Sequence, residues 1–280
     1  MINSANTPPI GFSLLLCTYK DENPSYLREC FDSILAGTVH PSEMVVVIDG
    51  PLTPELDEIV TRTVFPFETK IIQLPTRKTQ GIARREGVAA AKHHWIALMD
   101  SDDCMAPKRF ELQLATIEEN PNIDIIGGHI AEFGDSPGNP HSLRKVPTSH
   151  AEIISFARTR NPFNAMTVMF KKDLAVKSGN FRRFPGFEDY DLWARMIKNG
   201  AICQNCDQVL VYARTGAGMY RRRRGLGYIR QEWRMQRLLR SLGITTRLGF
   251  VKNLFLRMPS RMLPHAALER VYKKFTRSKS

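Results

Sequence analysis

His94-Trp95-Ile96-Ala97-Leu98-Met99-Asp100-Ser101-Asp102-Asp103 drives five apolar residues straight into three carboxylates. A short apolar run with no helical period reads as a strand buried on both faces of a parallel sheet. Acids at its tip repel one another unless a cation sits between them. The crevice beyond the strand ends is where open α/β sheets bind ligands. Acids at i and i+2 on an extended segment point the same way, so Asp100 and Asp102 can share one divalent ion. A solvated acidic turn ahead of a helix is the plainer alternative, and the rest of the chain has to decide.

Working outward, strands and helices alternate. Phe12 to Cys17, Met44 to Ile48 and Lys70 to Leu74 read as strands. Asn23-Pro24 and Thr53-Pro54 open helices, each with a capping side chain followed by proline at the first helical position. Leu27, Cys30, Phe31, Ile34 and Leu35 hold the i, i+3, i+4, i+7, i+8 stripe, and Gly37 stops it. Gln80 to Lys92 is an alanine-rich helix leading into the acidic-tipped strand, and Pro107 begins another that runs to about Asn120. Short connections between alternating elements mean right-handed crossovers on both faces of a sheet. Ile123 to Ile130 adds a strand, and the Gly/Pro-containing loop around residues 134–140 marks a boundary. Beyond it, Ser149 caps a helix to about Arg158, and Ala165 to Phe170 reads as a strand. The aromatic loop Phe181 to Phe187 delivers Glu188-Asp189-Tyr190-Asp191-Leu192-Trp193 to the start of a helix ending near Gly200.

Composition bounds the possibilities. A 280-residue chain with 42% hydrophobic and 24% charged residues can bury a proper core. Met1 to Pro9 carries no secretory pattern, and no run is apolar enough to span a bilayer. Five scattered cysteines point to a reduced, cytoplasmic chain, with the lone Cys203-x-x-Cys206 pair read as packing. The histidines share no ligand spacing. The net charge of +12 is lopsided: Arg221 to Ser280 holds 17 Lys and Arg against two Glu, which leaves the first 220 residues at −3.

No G-x-G-x-x-G follows the first strand and no P-loop occurs anywhere, so dinucleotide and P-loop chemistry lack their phosphate cradle. What the sheet offers instead is Asp49 at the end of the second strand, suited to a base or ribose, and the acidic cluster suited to a metal. That combination fits a nucleotide diphosphate neutralised by an ion. Glu188 and Asp189 sit in a first helical turn, where the dipole favours acids whatever their role. A carboxylate beside aromatic residues is also partly desolvated, which helps it act as a base.

Five segments in order carry a resemblance: Leu15-Leu16-Cys17-Thr18-Tyr19-Lys20, Val45-Val46-Val47-Ile48-Asp49-Gly50, Gly81-Ile82-Ala83-Arg84-Arg85-Glu86-Gly87, Met99-Asp100-Ser101-Asp102-Asp103, and Glu188-Asp189-Tyr190-Asp191-Leu192-Trp193. Across residues 10–215 the chain resembles a family 2 glycosyltransferase. The stretch Asn161-Pro162-Phe163-Asn164-Ala165-Met166-Thr167-Val168-Met169-Phe170, with the Glu188 segment, is similar to bacterial O-antigen and exopolysaccharide hexosyltransferases acting on GlcNAc-diphosphate-undecaprenol. The resemblance implies a GT-A (Rossmann-like) α/β fold: a mostly parallel sheet flanked by helices, with a basic helical C-terminal extension. Its nucleotide half covers about 10–130 and its acceptor half about 145–215, within a domain of residues 1–220. It implies that Thr18, Tyr19 and Asp49 hold the uridine of a UDP-hexose, with Arg84 near the nucleotide, although Arg85 departs from the commoner Ala-Arg-Asn-x-Gly form. Asp100 and Asp102 become the pair for Mn²⁺ or Mg²⁺, with Asp102 the direct ligand. Asp189 becomes the general base and Glu188 the residue that orients acceptor or base, in an inverting transfer to a lipid-diphosphate-linked GlcNAc-type acceptor.

Residues 221–280 read as a basic, amphipathic tail with helices over Tyr228 to Leu242, Thr245 to Met258 and Leu263 to Phe275, after a flexible Arg221 to Arg224 stretch that could close over the diphosphate. Trp233, Leu238, Leu239, Phe250, Leu254, Phe255 and Leu256 interleave with Arg and Lys, the pattern of helices on an anionic membrane. The expectation is peripheral attachment to the cytoplasmic face of the inner membrane and no nucleic-acid partner. Two alternatives stay open: a sugar nucleotidyltransferase using the same acids, or a non-catalytic basic protein that binds membrane or nucleic acid.

Overall fold

The computed structural model describes residues 10–215 and 225–262. The Arg221 to Arg224 stretch and the expected helix over Leu263 to Phe275 lie outside those residues. The first half alternates as its pattern dictates: β1 (Phe12–Thr18), α1 (Pro24–Leu35), β2 (Glu43–Ile48), α2 (Pro54–Arg62), β3 (Glu68–Gln73), α3 (Gln80–Ala90), β4 (Trp95–Asp100). The caps are formed by the residues that announce them. Asn23 Oδ1 accepts the Ser25 N–H at 2.9 Å, and the Thr53 hydroxyl accepts that of Leu56. Then come β5 (Cys104–Met105), α4 (Arg109–Glu119), β6 (Ile125–Phe133), β7 (Ser142–Arg144) and α5 (His150–Ala157), which opens on a Ser149–Glu152 capping box. The chain continues through β8 (Met169–Lys171), α6 (Lys172–Lys177), α7 (Glu188–Lys198), β9 (Cys203–Arg214), α8 (Leu226–Ser241) and α9 (Arg247–Met262).

These strands form one nine-stranded sheet in the order β3-β2-β1-β4-β8-β6-β9-β5, with β7 added on β6. Pairing is parallel through β3, β2, β1 and β4. Beyond β4 it is mixed, since β8 runs antiparallel to both β4 and β6 while β9 runs parallel to β6. The strand expected over Ala165 to Phe170 is shorter than its apolar composition suggests. Ala165–Thr167 is a 3₁₀ turn, closed by the Thr167 hydroxyl donating to the Asn164 carbonyl at 2.7 Å, and only β8 joins the sheet.

The period of 2 along β1, β2 and β4 splits their side chains between two cores. Phe12, Leu14 and Leu16 pack with Met44, Val46 and Ile48 against α1, α2 and α4. Leu15, Val45, Val47, Ile96 and Leu98 face the opposite way, against Ala83 and Val88 of α3 and Leu192, Trp193 and Met196 of α7. Each fully buried side chain of this size contributes roughly 1.5–3 kcal/mol, so both faces of the sheet are anchored and the ends of its strands are held rigidly.

A third apolar cluster joins the basic C-terminal segment to the rest. Met235 and Leu239 of α8 are buried against Phe184 and Phe187 of the aromatic loop and Tyr190 and Ala194 of α7. Leu239, read from sequence as part of a membrane-facing pattern, is therefore core. Trp233, Leu248, Val251, Phe255 and Leu256 remain exposed. Among the described residues no helix is long and apolar enough to cross a membrane. All five cysteines are free thiols, with Cys203 and Cys206 buried on β9.

α7 is locked in place by charge as well as packing. Asp191 is fully buried and pairs with Arg195 at 2.5 Å and Arg182 at 2.6 Å. Removing one partner of a buried pair strands the other charge, which costs about 3–5 kcal/mol. Because Arg182 is half exposed and Arg195 also donates to the Ser178 and Asn180 carbonyls, Asp191→Ala is expected at the lower end of that range. Chemical denaturation of the two proteins checks this; an unchanged midpoint would remove the pair as an anchor of α7.

Candidate active site

A cleft of about 1950 Å³ opens at the C-terminal ends of β1, β2 and β4. Thr18, Tyr19, Asp49, Arg84, Asp100, Asp102, Glu188 and Asp189 all line it, although they come from residues 18 to 189 of the chain. The parallel register explains the donor side, because Cys17 of β1 lies opposite Asp100 of β4 and Thr18 opposite Ile48 of β2. The Thr18 hydroxyl is buried on the cleft wall with no hydrogen-bond partner among the described residues. A buried hydroxyl without a partner is costly, and a ligand atom in the cleft would satisfy it.

Asp49 follows β2 and accepts the Lys78 backbone N–H at 2.7 Å. The turn needs Gly50: its φ is +87°, and a Cβ there would lie 2.7 Å from the Arg77 nitrogen. Arg77 stacks over the Tyr19 ring at 4.5 Å and pairs with Asp21 at 2.7 Å, so the loop after β3 closes one wall of the cleft.

The three acids after β4 do not act alike. Asp100 is gripped by Arg84 at 2.6 Å, with Gln80 of the same helix 3.4 Å away. Burial is the largest single influence and works against the Arg84 charge, but Asp100, Cys17, Asp189 and Glu188 together outweigh it, and the guanidinium pKa sits above its ordinary value. Ser101 donates to Glu22, which lines the same cleft. Asp102 faces the cleft, while its carbonyl accepts from the Arg214 guanidinium at 3.1 Å. Asp103 points inward and accepts the Arg214 backbone N–H at 2.8 Å. Burial, then the charges of Asp102 and Asp100, push its carboxyl well above the usual range. Two acids of the triplet thus belong to the cleft and the third to the scaffold.

Glu188 and Asp189 stand on the far wall in the first turn of α7. The helix start is pressed against α3, where a Cβ on Gly81 would lie 2.8 Å from Glu188 Cγ. Glu188 is 7% exposed, and burial pushes its carboxyl up to about 6, with the Asp189 charge adding to the shift and Arg84 opposing it. That lies in the range where a carboxylate serves as base near neutral pH. Asn161 donates to Asp189 Oδ2 at 2.8 Å and fixes its rotamer. Arg84 is close enough to feel Asp100, Asp189 and Glu188 together, so it stands between the two acidic walls.

Sequence reasoning did not assign roles to Arg77, Lys78, Arg214 or the Asn161 side chain. Arg214 closes β9 and stacks on Tyr26 at 3.9 Å and Phe133 at 4.5 Å. Nothing local in its sequence signals that it orders Asp102 and Asp103. Asn161 lies in a turn-forming Asn-Pro segment, which hides its reach to α7.

Among the described residues no three His, Cys, Asp or Glu side chains converge to cage a metal. Asp100 and Asp102 nonetheless suit a hard divalent ion that takes its remaining oxygen ligands from a diphosphate and water, the usual habit of Mg²⁺.

Comparison with known proteins gives the family and the fold. The glycosyl transferase family 2 model matches residues 13–185. The chain is 41% identical over 266 residues to an uncharacterized glycosyltransferase of Haemophilus influenzae, covering 95% of this chain and 99% of that protein. It is 34% identical to the amylovoran biosynthesis glycosyltransferase AmsE of Erwinia amylovora, covering 94% and 98%. It is 30% identical to the UDP-Gal:alpha-D-GlcNAc-diphosphoundecaprenol beta-1,3-galactosyltransferase of Escherichia coli, covering 98% of each. The fold is shared with S. aureus TarS 1-349 in complex with UDP-GlcNAc at a TM-score of 0.66 and 18% identity, covering 95% of this chain and 74% of that one. With the family model matched from β1 into the aromatic loop and relatives aligned end to end, the chain belongs to glycosyl transferase family 2 and is a glycosyltransferase.

Proposed function

We propose that the enzyme transfers a hexose, galactose or glucose, from a UDP-sugar to a lipid-diphosphate-linked GlcNAc-type acceptor, with inversion to a β-linkage, in O-antigen or exopolysaccharide assembly. One observation carries this reading: the strand-end acids Asp100 and Asp102 and the helix-start acids Glu188 and Asp189 face each other across a single cleft, with Arg84 between them. The E. coli relative, named for a UDP-Gal donor and a GlcNAc-diphosphoundecaprenol acceptor, supports the choice of substrates.

In this reading Thr18, Tyr19 and Asp49 hold the uridine, the Thr18 hydroxyl gaining the partner it lacks. Asp102, with Asp100 behind it, holds Mn²⁺ or Mg²⁺. When bound, such an ion supplies Lewis-acid stabilisation of the departing diphosphate. Asp189, held by Asn161, removes the proton from the acceptor hydroxyl as that oxygen attacks the anomeric carbon from the face opposite UDP. Displacement on that face inverts the centre, so an α-linked donor yields a β-linked product. Glu188 orients the acceptor hydroxyl beside Asp189. Arg84 holds Asp100 in the orientation that faces the cleft.

The test is UDP release from a panel of UDP-sugars, with Mn²⁺ or EDTA, in the presence of a GlcNAc-diphosphate-lipid. Acceptor-stimulated release from UDP-galactose or UDP-glucose, abolished by EDTA, is expected. Absence of UDP binding under all conditions would overturn the donor assignment, and pyrophosphate release would favour the nucleotidyltransferase alternative.

The same reading places the enzyme on the cytoplasmic face of the inner membrane, through the exposed apolar residues of α9. Leu248, Val251 and Phe255 share one helical face, flanked by Arg247 and Lys252. In the full-length protein, replacing Leu248 and Phe255 by Glu is expected to reduce binding to vesicles rich in anionic lipid at least tenfold, because it removes apolar area and adds like charge. Unchanged co-sedimentation would end the membrane assignment for this helix. Truncating the tail is a poorer test, since loss of α8 would uncover Phe184, Phe187 and Tyr190.

A further inference from the structure

The cleft has two electrostatic halves. Its donor side sets Glu22, Asp49, Asp100 and Asp102 among Arg77, Lys78 and Arg84, and Arg84 is close enough to feel the acids of α7 as well. The wall beyond them is basic and is built from three separate parts of the chain: Arg144 and Lys145 at the end of β7, Arg158 and Arg160 after α5, and Lys252 on α9. An anion entering the first half meets carboxylates and cations intermixed, whereas the charged lining of the second half is basic.

That basic wall is built rather than loose. Asn253 is 3% exposed and donates to the Arg158 carbonyl at 2.8 Å and to Gln236 Oε1 at 2.9 Å. Arg257 donates to the Thr159 carbonyl at 3.0 Å and is held by the buried Glu232 carboxylate of α8. The Arg257 charge is thus answered within the protein, and its task is to fix the backbone of residues 158–160. The C-terminal helices thereby hold the loop that presents Arg158 and Arg160, with Lys252 one residue from Asn253 on the same wall. The loop then runs directly to Asn161, which holds Asp189.

We propose that Arg158, Arg160 and Lys252 form a second anion subsite, separate from the donor's, that binds the diphosphate of the lipid-linked acceptor. This inference rests on the glycosyl-transfer reading above and adds where the acceptor is held. Arg158 lies three residues before Asn161, so the proposed subsite and the residue that holds Asp189 belong to one short segment of the cleft wall. The outer face of the helix that contributes Lys252 is the exposed apolar stripe of Leu248, Val251 and Phe255, and Leu256, itself 65% exposed, reaches the cleft as well. A prenyl chain leaving the diphosphate would therefore run along apolar surface towards the bilayer.

The experiment measures binding of farnesyl diphosphate to the full-length protein, first alone and then with UDP and Mn²⁺ at saturation. The expected result is binding that UDP does not displace, weakened at least tenfold by the Arg158→Ala, Lys252→Ala double variant and retained by Lys252→Arg. Both side chains are exposed, so the variants are expected to fold, and an unchanged affinity for UDP verifies that they have. Four results would overturn the proposal: no binding, displacement by UDP, equal binding by the double variant, or equally tight binding of inorganic pyrophosphate, which would make this a free-phosphate site. If farnesyl diphosphate binds as expected while GlcNAc-diphosphate-lipid stimulates no release from any UDP-sugar, the subsite stands and the proposed reaction falls.

Discussion

Asp189→Asn is expected to lower kcat by about 10²–10⁴-fold, the usual contribution of a positioned general base, while leaving the affinity for UDP unchanged. The amide is close to isosteric with the carboxylate, and its oxygen can still accept from Asn161 Nδ2, so the rotamer fixed by that 2.8 Å bond survives. What disappears is the capacity to take a proton. Glu188 is the rival for the role, since burial lifts its carboxyl to about 6. Its folded-state value is raised, so its ionised form is the one the fold disfavours, and it becomes fully charged only above about pH 6. If Glu188 orients the acceptor hydroxyl as a carboxylate, kcat falls as pH drops through about 6, and Glu188→Gln flattens that limb at a smaller loss than Asp189→Asn. Steady-state UDP release across pH, measured for both variants with saturating acceptor, separates the two. Near wild-type turnover in Asp189→Asn, with collapse in Glu188→Gln, would exchange their roles.

The features that could be read from sequence are those set locally. Asn23, Thr53 and Ser149 cap helices because their side-chain oxygens reach N–H groups two or three residues on. The run from Trp95 to Met99 became a central strand because both of its faces had to be buried, and its acidic tip had to end at the crevice. β9 was invisible because Cys203-Gln204-Asn205-Cys206-Asp207-Gln208 breaks the alternation, and its long pairing with β6 is non-local, with register shifts around His129. Which of three neighbouring acids faces the ligand depends on Arg214, 111 residues from Asp103. The tail shows the same limit. Interleaved Arg, Lys and apolar residues read as a surface pattern, yet Met235 and Leu239 are core because the aromatic loop stands opposite them. Glu232 is tolerated at 0% exposure because Arg257, 25 residues later, pairs with it.

Asp102→Ala should abolish metal-dependent UDP binding and reduce turnover at least about 10³-fold, since metal stabilisation of a leaving diphosphate supplies several kcal/mol. The neighbouring acid provides the control. Asp103→Asn keeps an oxygen able to accept the Arg214 N–H, and the structure puts that side chain inside the protein rather than in the cleft, so its Mn²⁺ dependence should match wild type. Asp100 is the intermediate case. Arg84 holds one of its oxygens at 2.6 Å, so Asp100→Ala removes a carboxylate from the cleft and also leaves a guanidinium that is 5% exposed without its closest partner. Its loss should therefore appear in folding stability as well as in metal affinity. Calorimetric titration of UDP with and without Mn²⁺, beside thermal melts of the three variants, reads out both quantities. Metal-dependent UDP binding that survives in Asp102→Ala but vanishes in Asp103→Asn would contradict the division of the triplet. If all three variants bound UDP as the wild type does, the acids after β4 would be a solvated turn, and the donor diphosphate would have to be held by Arg77, Lys78 and Arg84 instead.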